Sequence, residues 1–219
     1  KKQREMGITL NVVRLAKNGG LGNALNEGIK HCKNELVARM DSDDIAYPDR
    51  CEKQLAVFNE HPEVSICSGI VVEFTTDPNT VDAKRVTPET NAEIVEFAKK
   101  RNPFNHPCVM YKKSAVEAVG SYQDFYLLED YYLWLRMLMA GYQGYNIQEP
   151  LLHMRAGLDM YLRRAGWKYI KAQTKLFKFM KQQGFIGKGQ YIKSCVIRSG
   201  SALAPNWLRR IMFEKMQRK

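Results

Sequence analysis

The chain has 219 residues, 45% of them apolar and 26% charged, an ordinary globular composition that excludes a disordered or fibrous protein and suffices for one medium domain or a domain with an appendage. Its longest mainly apolar run without a charge, Val64–Val72, falls far short of the roughly 20 residues of a membrane span, and five cysteines without a C-x-x-C pair argue against a disulfide scaffold or a zinc site. The net charge of +11 is lopsided: residues 151–219 carry sixteen Lys/Arg against Asp159 and Glu214, a net of +14, whereas residues 1–150 come to −3, which predicts a near-neutral body and a basic tail that meets a polyanion, anionic lipid or nucleic acid.

In chain order, Ile8–Leu15 is rich in β-branched residues and reads as a strand. After the turn Asn18-Gly19-Gly20, the apolar positions Leu21, Ala24, Leu25, Gly28, Ile29 and Cys32 fall at helical spacing. Leu36–Met40 is a short apolar run leading into Asp41-Ser42-Asp43-Asp44. Pro48 and Asp49 open a second helix, with Cys51, Leu55 and Phe58 on one stripe, and Val64–Phe74 is a further strand. Thr90 and Glu93 form a capping-box signature for a helix over 92–101. A break at Asn102-Pro103 precedes a strand-like segment, His106–Tyr111. Helices are expected over Lys113–Val119 and Glu129–Ala140, each ended by glycine, and in the tail over Leu162–Gln183, Gln190–Arg198 and after Pro205. Strands alternating with helices predict an α/β fold built on a parallel sheet, whose ligand site lies at the carboxyl ends of the strands.

That rule selects the acidic cluster after Met40. If the chain stays extended there, Asp41 and Asp43 point the same way, and two carboxylates so placed repel unless a cation binds or one protonates. A hard divalent ion, Mg²⁺ or Mn²⁺, is the natural partner, with substrate phosphates completing its shell. The plain alternative is that Asp44 or Asp49 caps the next helix and the others are solvated. A second acidic pair, Glu129-Asp130, opens an aromatic helix: either it complements the helix dipole or one carboxylate is a general base on a hydroxyl. Trp134 beside it is either a core residue or part of an acceptor site.

The string NGGLGNALNEGIKHCKNELVARMDSDDIAYPDRCEKQLAVF (18–58) resembles the nucleotide-binding half of the family 2 glycosyltransferases, which have the GT-A fold. NPFNHPCVMYKKSAVEAVGSY (102–122) resembles that family's acceptor-side segment, LLEDYYLWLRM (127–137) its catalytic helix, and EPLLHMR (149–155) the segment that closes the site. The resemblance covers roughly residues 8–155, with the motifs in family order. It implies a GT-A, Rossmann-like, mostly parallel sheet flanked by helices, and a basic helical C-terminal tail. Residues 1–155 would form the catalytic domain and 156–219 the helical extension. It implies, further, that Asp41 and Asp43 contact the donor and hold the metal, Asp43 foremost. Asn18, Gly22, Asn26 and Arg39 would flank the nucleotide. Asp130 would take the proton from the acceptor hydroxyl with Glu129 beside it, and His106, Trp134 and Arg155 would stand on the acceptor side. The implied function is inverting transfer of a sugar from a nucleotide-sugar, a UDP-sugar foremost, to a saccharide or lipid-linked acceptor in bacterial surface polysaccharide synthesis.

The family pattern begins with a strand–helix–strand unit that residues before Ile8 do not supply. An N-terminal unit on the order of 30–50 residues is therefore expected to be absent, and a non-catalytic binding module remains an alternative, as does a sugar nucleotidyltransferase. Leu25 stands where many members carry Arg. In the tail, Lys168, Lys171, Lys175, Lys178 and Lys181 recur at helical spacing with Trp167, Ile170, Phe177 and Met180 between them. Two readings stay open: the helix lies on an anionic membrane surface, or its apolar stripe packs back on the domain with the lysines in water. The expected location is the cytoplasm, with the membrane's inner face as the surface for the tail; no nucleic acid is expected, since the tail holds no recognisable binding motif.

Overall fold

The structure is a computed structural model that describes residues 9–157 and 166–203. Its central strand, β3 (Val64–Phe74), is buried along its length except at Ile70, as its unalternating apolar run requires of a strand covered on both faces. β6 (Gln143–Arg155) lies parallel to β3 on one side, and β5 (Met110–Lys112) antiparallel on the other. β1 (Leu36–Ala38) extends the sheet beyond β5 and β2 (Ile45–Ala46) beyond β6, both antiparallel, and β4 (Ala83–Arg85) folds back on β3. The order is β1-β5-β3-β6-β2, with β4 off this path.

The α/β architecture is as expected, but the strand directions are mixed. Among the described pairings only β3 with β6 is parallel. A parallel neighbour needs a crossover of a dozen or more residues, and the loop 75–82 between β3 and β4 is shorter than that. The strand expected over Ile8–Leu15 is not there. Ile8 lies outside the described residues, and 9–15 run as irregular chain with Leu10 and Val12 exposed. β-branched content makes a strand only where a neighbour completes the ladder, and none of the described strands pairs with this segment.

Seven helices surround the sheet among the described residues: α1 (Leu21–His31), α2 (Arg50–Glu60), α3 (Asn91–Ala98), α4 (Lys113–Ala118), α5 (Glu129–Met139), α6 (Gly166–Gln182) and α7 (Lys188–Leu203). The Thr90/Glu93 capping box opens α3 as expected. Gly120 and Gly141, at φ +82° and +88°, follow α4 and α5, the left-handed exit that glycine adopts without strain. The segment 106–111 divides into a 3-10 turn, His106–Cys108, and β5. The helix expected after Pro205 lies outside the described residues, as do residues 162–165 of the helix expected over Leu162–Gln183.

Helix α2 turns a different face inward from the expected stripe. Cys51 and Leu55 are exposed, while Arg50, Gln54, Val57 and Phe58 are buried. Arg50 donates to the carbonyls of Arg39, Pro107 and Val109, and Gln54 to those of Cys67 and Cys108. Backbone acceptors at the joint between sheet and helix are thus met by polar side chains, which an apolar stripe would have left unsatisfied.

The main core gathers around α5, whose Leu133, Trp134, Leu135 and Met137 are fully buried, and Leu176, Phe177 and Met180 of α6 enter the same cluster. The apolar face of the tail helix therefore packs back on the domain, continuous with its core across residues 155 and 156. Lys168, Lys171, Lys175, Lys178 and Lys181 stay exposed, with Lys168 over the Tyr126 ring and Lys175 over Phe125.

Candidate active site

Segments far apart in sequence meet in a cleft of about 820 Å³, lined among others by Arg39, Asp41, Asn102, His106 and Asp130. Its first wall is the chain leaving β1. Arg39 donates its amide to Val109 O at 2.9 Å and accepts from Arg50 Nη2 at 2.7 Å, so the backbone before the acidic cluster is fixed from both sides. The Arg39 side chain is buried and pairs with Asp41, while its Nε and Nη1 have no partner. Unmet donors on a buried guanidinium favour an anion in reach.

The cluster itself turns. The amide of Asp44 bonds Asp41 O at 3.4 Å, so the extended geometry expected for Asp41 and Asp43 gives way to a turn that leaves Asp41 half-buried, Asp43 exposed and Asp44 buried. Asp41 lines the cleft. Asp43 is exposed and does not line it. Asp44 points inward, accepts the Arg155 amide at 3.0 Å and keeps a second oxygen buried without a partner. Burial pushes the Asp44 carboxyl up to about 6, with the like charges of Asp41 and Asp43 adding.

The opposite wall is the start of α5. Asp130 Oδ1 accepts the Tyr131 amide at 2.7 Å, and Oδ2 accepts Asn102 Nδ2 at 2.7 Å. His106 Nδ1 stands 3.9 Å from Oδ2, and its Nε2 is 2.9 Å from the Tyr122 hydroxyl. Burial holds His106 well below the usual imidazole range, with the Arg39 charge adding, so the ring is neutral near pH 7. Burial also raises Glu129, with Asp130 and Asp124 adding to it. Leu127, lining the cleft just before this pair, has φ +57°, a strained conformation for a bulky side chain of the kind that collects at functional sites.

The other expected site residues divide. Asn26 spends its amide on the Tyr122 backbone, donating at 2.7 Å and accepting at 2.9 Å, so it braces α1 against this segment. Asn18 accepts the Gly20 amide within its own exposed turn. Gly22 lies under the α5 entry, where an added Cβ would stand 3.4 Å from Tyr122 and 3.8 Å from Glu129. Trp134, expected on the acceptor side, is a core residue: it is fully buried behind His106, the two rings 5.9 Å apart edge to face. Arg155 lies over the Phe74 ring and does not line the cleft. Asn102, Arg101 and Arg198 line the cleft without having been singled out in the sequence. The Asn102-Pro103 break was the only local signal for the first.

No group of three or more His, Cys, Asp or Glu among the described residues converges to hold a metal ion alone. The acidic turn suits an ion of the Mg²⁺ type, which takes one or two carboxylates and completes its shell with water and substrate phosphate. Asp41 with Asp43 could supply those oxygens.

A family model described as "Glycosyl transferase family 2" matches residues 1–120. The amylovoran biosynthesis glycosyltransferase AmsE of Erwinia amylovora is 41% identical over 95% of this chain and 77% of that relative. The UDP-Gal:alpha-D-GlcNAc-diphosphoundecaprenol beta-1,3-galactosyltransferase of Escherichia coli is 37% identical over 94% of this chain and 74% of its own length. Among solved structures, the mannosyltransferase PcManGT from Pyrobaculum calidifontis, in complex with GDP-Man and Mn²⁺, superposes with a TM-score of 0.59 at 15% identity, over 90% of this chain and 54% of that one. S. aureus TarS 1-349 in complex with UDP-GlcNAc gives 0.60 at 14% identity, over 98% and 61%. The chain thus spans less than two thirds of the length of these two solved structures.

Proposed function

Because this chain belongs to glycosyl transferase family 2, we propose that its cleft brings the anomeric carbon of a nucleotide-bound sugar, a UDP-sugar foremost, to an acceptor hydroxyl and transfers the sugar with inversion. The observation that carries this reading is that Asp41, from the turn after β1, and Asp130, from the start of α5, line one cleft. One carboxylate site and the buried Arg39 serve the diphosphate side. The other, held by Asn102 and the Tyr131 amide, is positioned to receive the proton of the attacking hydroxyl. A base on the face opposite the leaving group gives single displacement, hence inversion.

A divalent ion at Asp41 and Asp43, Mg²⁺ or Mn²⁺, would stabilise the charge that gathers on the departing diphosphate. The Mn²⁺ in the related mannosyltransferase complex supports that reading. Surface polysaccharide synthesis is the proposed setting, supported by the amylovoran relative, and a lipid-linked acceptor is supported by the galactosyltransferase relative. No helix among the described residues is long and apolar enough to cross a membrane. The exposed lysine row of α6 is proposed to meet anionic lipid at the cytoplasmic face, and salt-sensitive co-sedimentation with anionic vesicles tests this.

Titration of the chain with UDP in the presence and absence of Mn²⁺ tests the donor side. Metal-dependent binding that Asp41→Asn and Asp43→Ala weaken is expected; binding indifferent to metal and to both substitutions would overturn it. Transfer that survives Asp130→Asn unchanged would refute the assigned base.

A further inference from the structure

One face of α6 changes character along its length. Leu176, Phe177 and Met180 enter the main core, and the turns before them carry Tyr169 and Gln173 on the same side, at the i, i+4 spacing that stacks side chains. These two line the cleft. Gln173 is 5% exposed; its Nε2 donates to the Tyr169 hydroxyl at 2.7 Å, and its Oε1 has no partner. Exchanging the two amide atoms leaves one of them unmet in either setting. We propose that Gln173 and Tyr169 form a recognition site for a sugar ring of the acceptor, a hydroxyl of which completes the Gln173 amide; the acceptor role rests on the glycosyl-transfer reading above.

A buried amide left half-satisfied costs stability. An apolar residue at 173 would have continued the core stripe, so packing does not account for the glutamine, whereas a ligand in the cleft does. Thr87 repeats the pattern. It lines the same cleft, is 7% exposed and keeps its Oγ1 without a partner, while its carbonyl accepts from Gln148 Nε2 at 3.1 Å. Both unmet groups are neutral. The unmet guanidinium atoms of Arg39 serve the proposed diphosphate side, and Arg101 and Arg198, which also line the cleft, have partners within the chain.

Two aromatic side chains accompany these groups. Phe97 of α3 and Tyr169 are half-buried and line the cleft, so apolar surface stands beside neutral hydrogen-bonding atoms, the mixture that holds an uncharged ring bearing hydroxyls. A hydrocarbon chain would leave the amide unmet. The helix of the proposed base is packed on α6: the Phe179 ring stands 4.9 Å from that of Tyr132, edge to face. Tyr131, next to Asp130, lines the cleft and donates its hydroxyl to Ala98 O at 2.6 Å, one residue past Phe97. These ties to the base assign the ring to the acceptor and not to the donor.

Saturation-transfer NMR on the chain with the methyl glycosides of glucose, galactose, mannose and N-acetylglucosamine, with UDP and Mn²⁺ present to occupy the donor side, tests the proposal. At least one glycoside is expected to receive saturation from the native chain, and Gln173→Met to lower that signal about fivefold or more, the worth of one hydrogen bond. Because methionine removes an unmet buried group at similar size, the urea midpoint of Gln173→Met should hold or rise. A lower midpoint is the mark of a purely structural glutamine and would overturn the site. So would equal signals from the native and Gln173→Met chains, or no signal from any of these glycosides. UDP affinity should stay unchanged in the variant. If UDP fails to bind while a Gln173-dependent sugar signal persists, the glycosyl-transfer reading falls and the saccharide site stands.

Discussion

The side-chain amide of Asn102 donates to Oδ2 of Asp130 across 2.7 Å, joining the break after α3 to the first turn of α5. With the Tyr131 amide on the other oxygen, the carboxylate is held in one rotamer toward the cleft. A hydrogen bond to an ionised group contributes about 1.5–3 kcal/mol.

With Asp130 as the proposed base, Asp130→Asn should lower transfer by about 10²–10⁴-fold, the usual contribution of a general base, with UDP affinity nearly unchanged. Asn102→Ala should cost roughly tenfold or more in kcat and move the acid limb of the kcat–pH profile to higher pH, because the ionised carboxylate loses a donor. A purely structural role for Asn102 would lower kcat without moving that limb.

Arg50 offers a stability test remote from the chemistry. It is buried and bonds the carbonyls of Arg39, Pro107 and Val109. Arg50→Leu leaves those acceptors unmet at about 1–3 kcal/mol each, so a loss of about 3 kcal/mol or more is expected in urea denaturation. Because Arg39 O is one of them, UDP affinity should fall as well.

Gly144 shows how closely β6 meets its cover. A Cβ there would stand 2.4 Å from the Phe104 ring, which packs edge to face on Trp134 at 5.8 Å. Gly144→Ala should cost about 1–3 kcal/mol through forced repacking, read as a melting temperature lower by about 2–4 °C per kcal/mol.

His106 predicts a pH dependence of stability. Its folded-state pKa lies well below 6.5, so the unfolded chain binds the proton more readily, and stability from this residue is lost as pH falls through the unfolded value near 6.5. Denaturant midpoints at pH 7.5, 6.5 and 5.5 should drop more steeply for the native chain than for His106→Gln. Parallel slopes would mean that His106 already protonates freely in the fold.

Much of the fold was legible because its signals are local. β3 is an apolar run that ends at its observed boundaries, and the capping box and the glycines after α4 and α5 mark helix termini that backbone chemistry alone dictates. Strand direction was less legible, since pairing depends on partners tens of residues away and on loop lengths between them. The same limit applies at the site. Asp41 and Asp130 stood out by type and spacing, but which of three neighbouring aspartates turns inward is decided by a turn and by the Arg155 amide that meets Asp44. Asn102, Arg101 and Arg198 acquire meaning only from where α3, α5 and α7 meet, and Arg50 and Gln54 sit inward against the periodicity because their acceptors lie on other segments.

The parallel register of β3 with β6 aligns Ile66 with Gly144 and Phe74 with Arg155. A ribosome must therefore deliver some eighty further residues after the central strand before that strand finds its parallel neighbour. Until then, one side of the most apolar segment in the chain has no permanent cover, a hazard that grows with the waiting time. Slowing synthesis ahead of Gln143 should lengthen that interval and raise chaperone occupancy on nascent chains without any change to the finished molecule.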